Sequence, residues 1–386
     1  MRPRLHRHLV AIASALVLMI SMQAIPASGG NGLRIVDAAR ARAVFASMQH
    51  YFYLPADKLY RGTYPPYGRH RYSLVWPFSQ ALAATVSVAA DARGRSASGA
   101  WPSYRTLLSD NLAGLGLYWK RTPPAPGYAA YPVAPVGPGG ARYYDDNVWL
   151  GRTLLRAHAL LGQRRLLDRA QAVFRFVRRG WDENPRDACP GGVYFFEARH
   201  KTYRATTSTA PAAELAAELY SATGNSTYRV WAMRTYAWMN RCLRDGGGLY
   251  ADHINADGAI EPTRWSYNQG SMIGAGVLLW RITGKRRYLE EAQRTARKTL
   301  SYASRPPKRE LSYLMAIYFD NLRILDSAAH DPRYRAVAEA YADRGWQTAR
   351  DPHSGLVRFH QRPFSQLLEQ AALVRIYADL AAWPSS

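Results

Sequence analysis

The sequence predicts an all-α protein, an (α/α)6 barrel of twelve helices with six inner and six outer, and three observations carry that expectation. After residue 36, apolar residues recur at three- and four-residue spacing, as at Leu289, Ala292, Ala296 and Leu300, and no convincing run alternates like a strand. A weak repeat places Gly162, Gly224 and Gly284 at intervals of 62 and 60 residues, each where one helix should stop and another start. Glycine suits that position because it accepts a left-handed backbone. His330-Asp331-Pro332-Arg333-Tyr334 resembles a fourth, degenerate copy. The third observation is an alternation of short and long connections. Helical pairs repeated at this period indicate a solenoid or a closed barrel, and the loops decide between them.

The expected helices are 37–50, 77–92, 102–118, 146–162, 165–180, 208–222, 226–243, 267–282, 286–303, 310–328, 332–347 and 364–383. Connections leaving the even-numbered helices are short, at 163–164, 223–225, 283–285 and 329–331, with 93–101 the exception. Those entering the even helices are mostly long: 51–76, 119–145, 181–207, 244–266 and 348–363. If the six even helices are parallel, the long loops gather on one face, and long loops in a compact domain usually carry function. A closed barrel gives that face a pocket. An open solenoid does not.

The unusual residues then fall on one rim. Trp76-Pro77-Phe78-Ser79-Gln80 opens helix two, Asp145-Asp146-Asn147-Val148-Trp149 helix four, and Thr206-Thr207-Ser208 helix six. Tyr267-Asn268-Gln269-Gly270 opens helix eight and Phe364-Ser365-Gln366 helix twelve. Adjacent carboxyl groups at a helix start can serve as nucleophile and acid/base, which retaining glycosidases hold about 5–5.5 Å apart. The helix N-terminus favours one anion, while the like charge beside it raises the proton affinity of the other. Tyr143, Tyr144 and Trp149 surround the pair with faces that can stack on sugar rings. Asn268 and Gln269 each offer a donor and an acceptor for vicinal hydroxyls. Isolated Asp and Asn residues here would read as N-caps, and isolated aromatics as core. Their convergence favours a carbohydrate cleft.

Other chemistries lack their residues. Around Asp252-His253-Ile254-Asn255-Ala256-Asp257-Gly258, a calcium loop with Gly258 at its turn would put His253 first and Arg264 last, which fails. There is no His-Glu-x-x-His helix, phosphate-binding glycine loop or Gly-x-Ser-x-Gly elbow. No metal and no organic cofactor is expected.

The remaining features concern location. Arg2, Arg4 and Arg7, an apolar run from Leu9 to Met22, and small residues from Ala24 to Gly30 have the order of a secretory signal. The expected organisation is a signal at 1–30 and a single domain at 31–386, secreted or associated with the cell envelope, with an uncleaved anchor as the alternative. The 386 residues carry 51 Lys+Arg against 28 Asp+Glu, a net charge of +23. These charges form no long run, which disfavours a nucleic-acid partner and suits an anionic cell surface. Export would allow Cys189 and Cys242, the two cysteines, to pair. A monomer is expected.

Tyr144-Asp145-Asp146-Asn147-Val148-Trp149 and Tyr267-Asn268-Gln269-Gly270 resemble the hallmark segments of glycoside hydrolase family 76, the endo-α-1,6-mannanases. The likeness runs through Thr223-Gly224, Tyr228 and Thr283-Gly284 to Glu369-Gln370-Ala371-Ala372-Leu373-Val374-Arg375. It implies an (α/α)6 barrel, retaining hydrolysis within an α-mannan polysaccharide or glycolipid, Asp145 as nucleophile and Asp146 as acid/base. Tyr144, Asn147, Trp149, Trp76, Tyr267, Asn268 and Gln269 are the substrate-binding candidates. One departure stands out: where family members usually carry Lys-Gly near the start of helix ten, this chain has Ser312-Tyr313. Transglycosylation through the same covalent intermediate, and non-catalytic glycan binding, are the alternatives.

Overall fold

The computed structural model describes residues 30–95, 99–123, 125–198, 203–305, 310–360 and 362–383. The expected secretory signal lies, but for Gly30, outside them. Among the described residues the chain forms twelve α-helices: α1 (Gly30–Phe52), α2 (Val75–Gly94), α3 (Trp101–Gly116), α4 (Tyr144–Leu161), α5 (Arg164–Arg179), α6 (Thr206–Thr223), α7 (Ser226–Cys242), α8 (Ser266–Thr283), α9 (Arg286–Thr299), α10 (Ser312–Asp326), α11 (Pro332–Arg344) and α12 (Leu367–Ala382). Each even helix packs on the next, and α12 returns to α2, so the inner ring closes. The odd helices lie outside: α1 rests on α12, α5 on α4, α7 on α6, α9 on α8 and α11 on α10 and α12.

Closure follows from composition. The inner helices are rich in small and apolar residues on every side, so α8 buries Met272, Ile273, Ala275, Val277 and Leu279 around Gly270, Gly274 and Gly276. The outer helices are amphipathic; α5 buries Leu166, Leu167, Ala170, Val173, Phe174, Phe176 and Val177 and turns its arginines to solvent, except Arg169, which lies over Trp119. The repeated glycines work as the sequence suggests. Gly162, Gly224 and Gly284 each sit at φ 70°, and each N–H donates to the carbonyl four residues back, of His158, Tyr220 and Trp280 respectively. That geometry ends an inner helix within one residue.

Four helix ends and the rim differ from the sequence reading, and the first helix already begins at Gly30 rather than at 37. The ninth helix leaves α geometry after Thr299 for a 3-10 turn at Leu300–Ala303, and α11 passes into a π turn at Gly345–Ala349. The twelfth begins only at Leu367, because Ser365–Gln366 is extended and pairs with Thr63–Tyr64. Such pairings recur along the rim: β1 (Tyr53–Leu54) with β2 (Leu59–Tyr60), β3 (Thr63–Tyr64) with β9 (Ser365–Gln366), and β4 (Trp119–Lys120) with β5 (Gly127–Tyr128). A further sheet joins β6 (Tyr203–Ala205), β7 (His253–Asn255) and β8 (Ile260–Glu261). Strands of two or three residues are too short to leave an alternating pattern. The β3–β9 pair links the first long loop to the last. A disulfide joins Cys189, in the loop entering α6, to Cys242 at the end of α7, with Cα atoms 6.1 Å apart.

The centre of the ring is ionic. Arg152 of α4 meets Glu214 of α6 at 2.7 Å and Glu218 at 3.0 Å. Asp320 of α10 takes Arg156 at 2.5 Å and Arg323 at 3.0 Å, and Arg375 of α12 donates to Gln80 of α2. Burial alone would raise the Asp320 carboxyl, but Arg156, Arg323, Arg375 and Arg152 together hold it below its ordinary range. Glu214 is pushed up by burial to about 8, Arg152 opposing this most, while the charges of Glu218 and Asp320 add to it. Buried charges left without partners are costly, so this network demands correct registration of α2, α4, α6, α10 and α12. The remaining inner helix, α8, gives the network room. A Cβ on Gly274 would collide with the Asn321 and Glu214 side chains. Gly274→Ala is therefore expected to destabilise the fold by about 1–3 kcal/mol through overpacking, read as a lower Tm with unchanged helix content. Gly94→Ala, where a Cβ meets open space, is the control.

Candidate active site

The long loops enclose a cavity of about 710 Å³ over the N-terminal ends of the inner helices. Asp145, Asp146 and Asp252 face into it, and Trp76, Tyr131, Tyr143, Trp149, Phe195, Tyr203, Trp265, Tyr267 and Tyr313 line it. Asp145 and Asp146 occupy the first turn of α4, after Tyr143 in extended conformation. The Asp146 backbone N–H donates to Asp145 Oδ1 at 2.8 Å. This is a helix-terminal amide holding an anion.

Burial raises both carboxyls. For Asp145 that effect is opposed by the backbone N–H groups of Asp146 and of Asp145 itself, and reinforced by the charge of Asp252. For Asp146 nothing opposes it: burial comes first, the negative charge of Asp145 adds to it, and the carboxyl is driven further up. The pair is therefore differentiated. Asp145 is the better anion and Asp146 the better holder of a proton.

Asp252 carries no signal of its own in the sequence, where its neighbours form only a loop that fails as a calcium site. It stands just before β7, where the β6–β7 pairing brings the loop of Asp252 against the start of α6. Its carboxylate receives Asn268 Nδ2 at 3.3 Å and lies 2.8 Å from His253 Nδ1. The His253 ring in turn packs on Tyr203, with centroids 4.3 Å apart. Burial raises the Tyr267 hydroxyl well above its ordinary value, and the charges of Asp252 and Asp145 add to this. Tyr267 is thus a neutral hydroxyl facing two acids.

The structure divides the substrate-binding candidates. Among the described residues Trp76, Trp149 and Tyr267 line the cavity, while Tyr144, Asn147, Asn268 and Gln269 stand behind its wall. Tyr144 turns outward and stacks on Phe176, centroids 4.8 Å apart. Asn147 is fully buried, receives the Tyr128 N–H at 2.7 Å and donates to the Tyr128 and Tyr143 carbonyls. Gln269 repeats this on Tyr250, accepting from its N–H at 3.0 Å and donating to its carbonyl at 2.7 Å. Gln370, in α12, donates to the Val357 carbonyl at 3.1 Å. These amides clasp rim-loop backbone where its own partners are missing. Asn268 reaches the site only through Asp252. In the other direction, Ser312 is buried while its neighbour Tyr313 lines the cleft edge-on to Trp76, centroids 6.2 Å apart. The Ser312-Tyr313 pair thus places an aromatic ring in the cleft wall.

Comparison with known proteins agrees with this architecture. The mannosidase Bt3792 of Bacteroides thetaiotaomicron, a glycoside hydrolase of family 76, superposes with a TM-score of 0.79 over 90% of this chain and 98% of its own, at 25% identity. An inactive variant of the α-1,6-mannanase GH76A of Salegentibacter sp. HEL1_6, solved with α-1,6-mannotriose, shares the fold at 18% identity with a TM-score of 0.72, over 90% of this chain and all of that one. Mannan endo-1,6-alpha-mannosidase DCW1 of Saccharomyces cerevisiae is 32% identical over 124 residues, which span 30% of this chain and only 27% of the yeast protein. The model of "Glycosyl hydrolase family 76" matches residues 37–316, from the first helix into the tenth. With an inner ring that closes, and with the matched segment holding both aspartates and most of the cavity wall, the chain belongs to glycosyl hydrolase family 76.

Proposed function

We propose that this protein is an exported retaining endo-α-1,6-mannosidase acting on mannan-type polysaccharide or glycolipid in or near a cell envelope. The observation that carries the reading is the pair Asp145 and Asp146 on one aromatic cavity, with Asp145 held by a helix-terminal N–H. The names of its relatives supply the linkage, since mannan endo-1,6-alpha-mannosidases are among them. The Salegentibacter mannanase also loses activity when two adjacent aspartates are replaced by asparagine. The order of residues at the N-terminus supports export.

In this mechanism, an Asp145 oxygen attacks the anomeric carbon of the mannosyl unit bound above it. The glycosidic C–O bond breaks, and Asp146 gives its proton to the departing oxygen. Asp146, now anionic, takes a proton from water; the resulting nucleophile attacks the same carbon and releases Asp145. Two inversions retain the configuration. Tyr267 is placed to donate to developing negative charge or to a substrate hydroxyl, and Asp252 with Asn268 fixes the electrostatic floor.

Asp145→Asn should abolish hydrolysis of every substrate. Asp146→Asn should fail on mannan yet react once with an activated mannoside, then stall. Azide should rescue the stalled enzyme as a mannosyl azide of retained configuration, resolved by NMR; rescue of the Asp145 variant with inverted product would reverse the roles. The same geometry sets the pH profile. The nucleophile must be ionised, so kcat/KM rises as pH climbs through the raised Asp145 value; the acid must be protonated, so it falls at the higher Asp146 value. The optimum should therefore lie well above the ordinary carboxylate range of about 4. An acid limb centred near 4 would contradict it. Tyr267→Phe keeps the ring and removes one hydroxyl, so kcat/KM on mannan should drop about 10-fold or more, the weight of a hydrogen bond to a charged partner. Its Tm should stay within a few degrees of the parent.

A further inference from the structure

A second cavity, of about 590 Å³, adjoins the catalytic one and shares Leu74 and Tyr131 with it. It is formed by the first long loop, between β2 and α2, where it crosses the last loop at the β3–β9 pair. Among the described residues, three arginines and a histidine, Arg61, Arg69, Arg71 and His70, line it, and no Asp or Glu does. Asp57 neutralises Arg71 at 2.7 Å. That is the only acid paired with these four among the described residues. Arg61 carries a buried Nε with no hydrogen-bond partner among the described residues. Arg69 is exposed. The His70 ring lies on Tyr131, centroids 4.3 Å apart, so the cationic group borders the wall shared with the catalytic cleft. On the facing loop Arg358 donates to Ser365 at 3.0 Å, adding positive charge beside the pair that closes the rim.

Neutral mannan offers this set only hydroxyl acceptors and leaves its positive charge unmatched. A compact anion with several oxygens does, because guanidinium groups bind phosphate through multiple charge-assisted hydrogen bonds. We propose that this cavity binds a phosphodiester carried by an α-1,6-mannan chain whose glycan runs past Tyr131 into the catalytic cleft. The inference rests on the mannanase reading for the identity of the glycan and on the cavity itself for the phosphate. It makes phosphorylated mannan, whether a lipid headgroup glycan or a phosphate-bearing polysaccharide, the preferred substrate over the neutral polymer.

The test compares a linear α-1,6-mannooligosaccharide with the same chain ending in a glycerol phosphodiester, and with its diacylated form. The phosphodiester chain should show a kcat/KM about tenfold or more above the neutral one, the weight of one charge-assisted contact, and the advantage should shrink with added salt. Arg69→Ala should collapse that ratio toward one, and Arg69→Lys should keep most of it; Arg69 is exposed, so both variants should fold. Equal rates on the two chains, or a ratio indifferent to Arg69→Ala, would overturn the proposal. So would a preference seen only with the acyl chains present, since that marks apolar rather than phosphate recognition. If neither chain is cleaved, the mannanase reading falls alone, because calorimetric binding to the Asp145→Asn variant still judges the cavity. Tighter binding of the phosphodiester chain, lost with Arg69→Ala in that background, supports the site; equal binding of both chains rejects it.

Discussion

Closure of the inner ring is the constraint on which everything else depends. Six parallel helices leave their N-terminal ends on one face, and all the long loops must leave and return there. The ring closes around charge rather than around hydrocarbon alone, with Arg152, Arg156, Arg323 and Arg375 set against Glu214, Glu218, Asp320 and Asp379. An apolar centre would tolerate sliding of one helix past another. A buried ionic centre does not, because one slipped turn strands a charge. The register of α4, which fixes where its first turn opens, is set partly by Arg152 and Arg156 two to three turns below the aspartates.

The chemistry at the rim follows from that placement. A helix N-terminus offers free N–H groups and a positive end, and Asp145 uses the N–H of its neighbour. Asp146, one residue on, receives no such help and feels the charge of Asp145 instead. Two identical side chains therefore diverge in proton affinity through position alone. The surrounding aromatics act twice, since by excluding water they raise both carboxyls and by their flat faces they suit sugar rings.

Rim loops of this length need support that helices do not. Part comes from ladders of two or three residues, part from the Cys189–Cys242 link, and part from the amides of Asn147, Gln269 and Gln370. Each amide stands near the start of an inner helix and takes up backbone groups of the loop passing beside it. Two of them lie in the hallmark segments. In this chain they anchor loops next to residues that meet the cavity.

The sequence by itself determined the helices, their alternation into inner and outer, the glycine stops, and the aspartate pair on an aromatic rim. These are local matters: periodicity, a left-handed glycine, and adjacency in the chain are all visible without neighbours in space. Tertiary structure decided which polar residues face the cavity. Asn147 and Gln269 carry the donors and acceptors that a sugar site needs, yet both are spent on Tyr128 and Tyr250, residues 19 positions away on returning loops. Asp252 was hidden for the converse reason, since it reaches Asp145 only because β6 pairs with β7. The cationic cavity beside Tyr131 was equally out of view, because its walls meet through a two-residue pairing between the first loop and the last, some 300 residues apart. A side chain's partners across such distances are set by how the ring closes, and one-dimensional patterns do not carry that information.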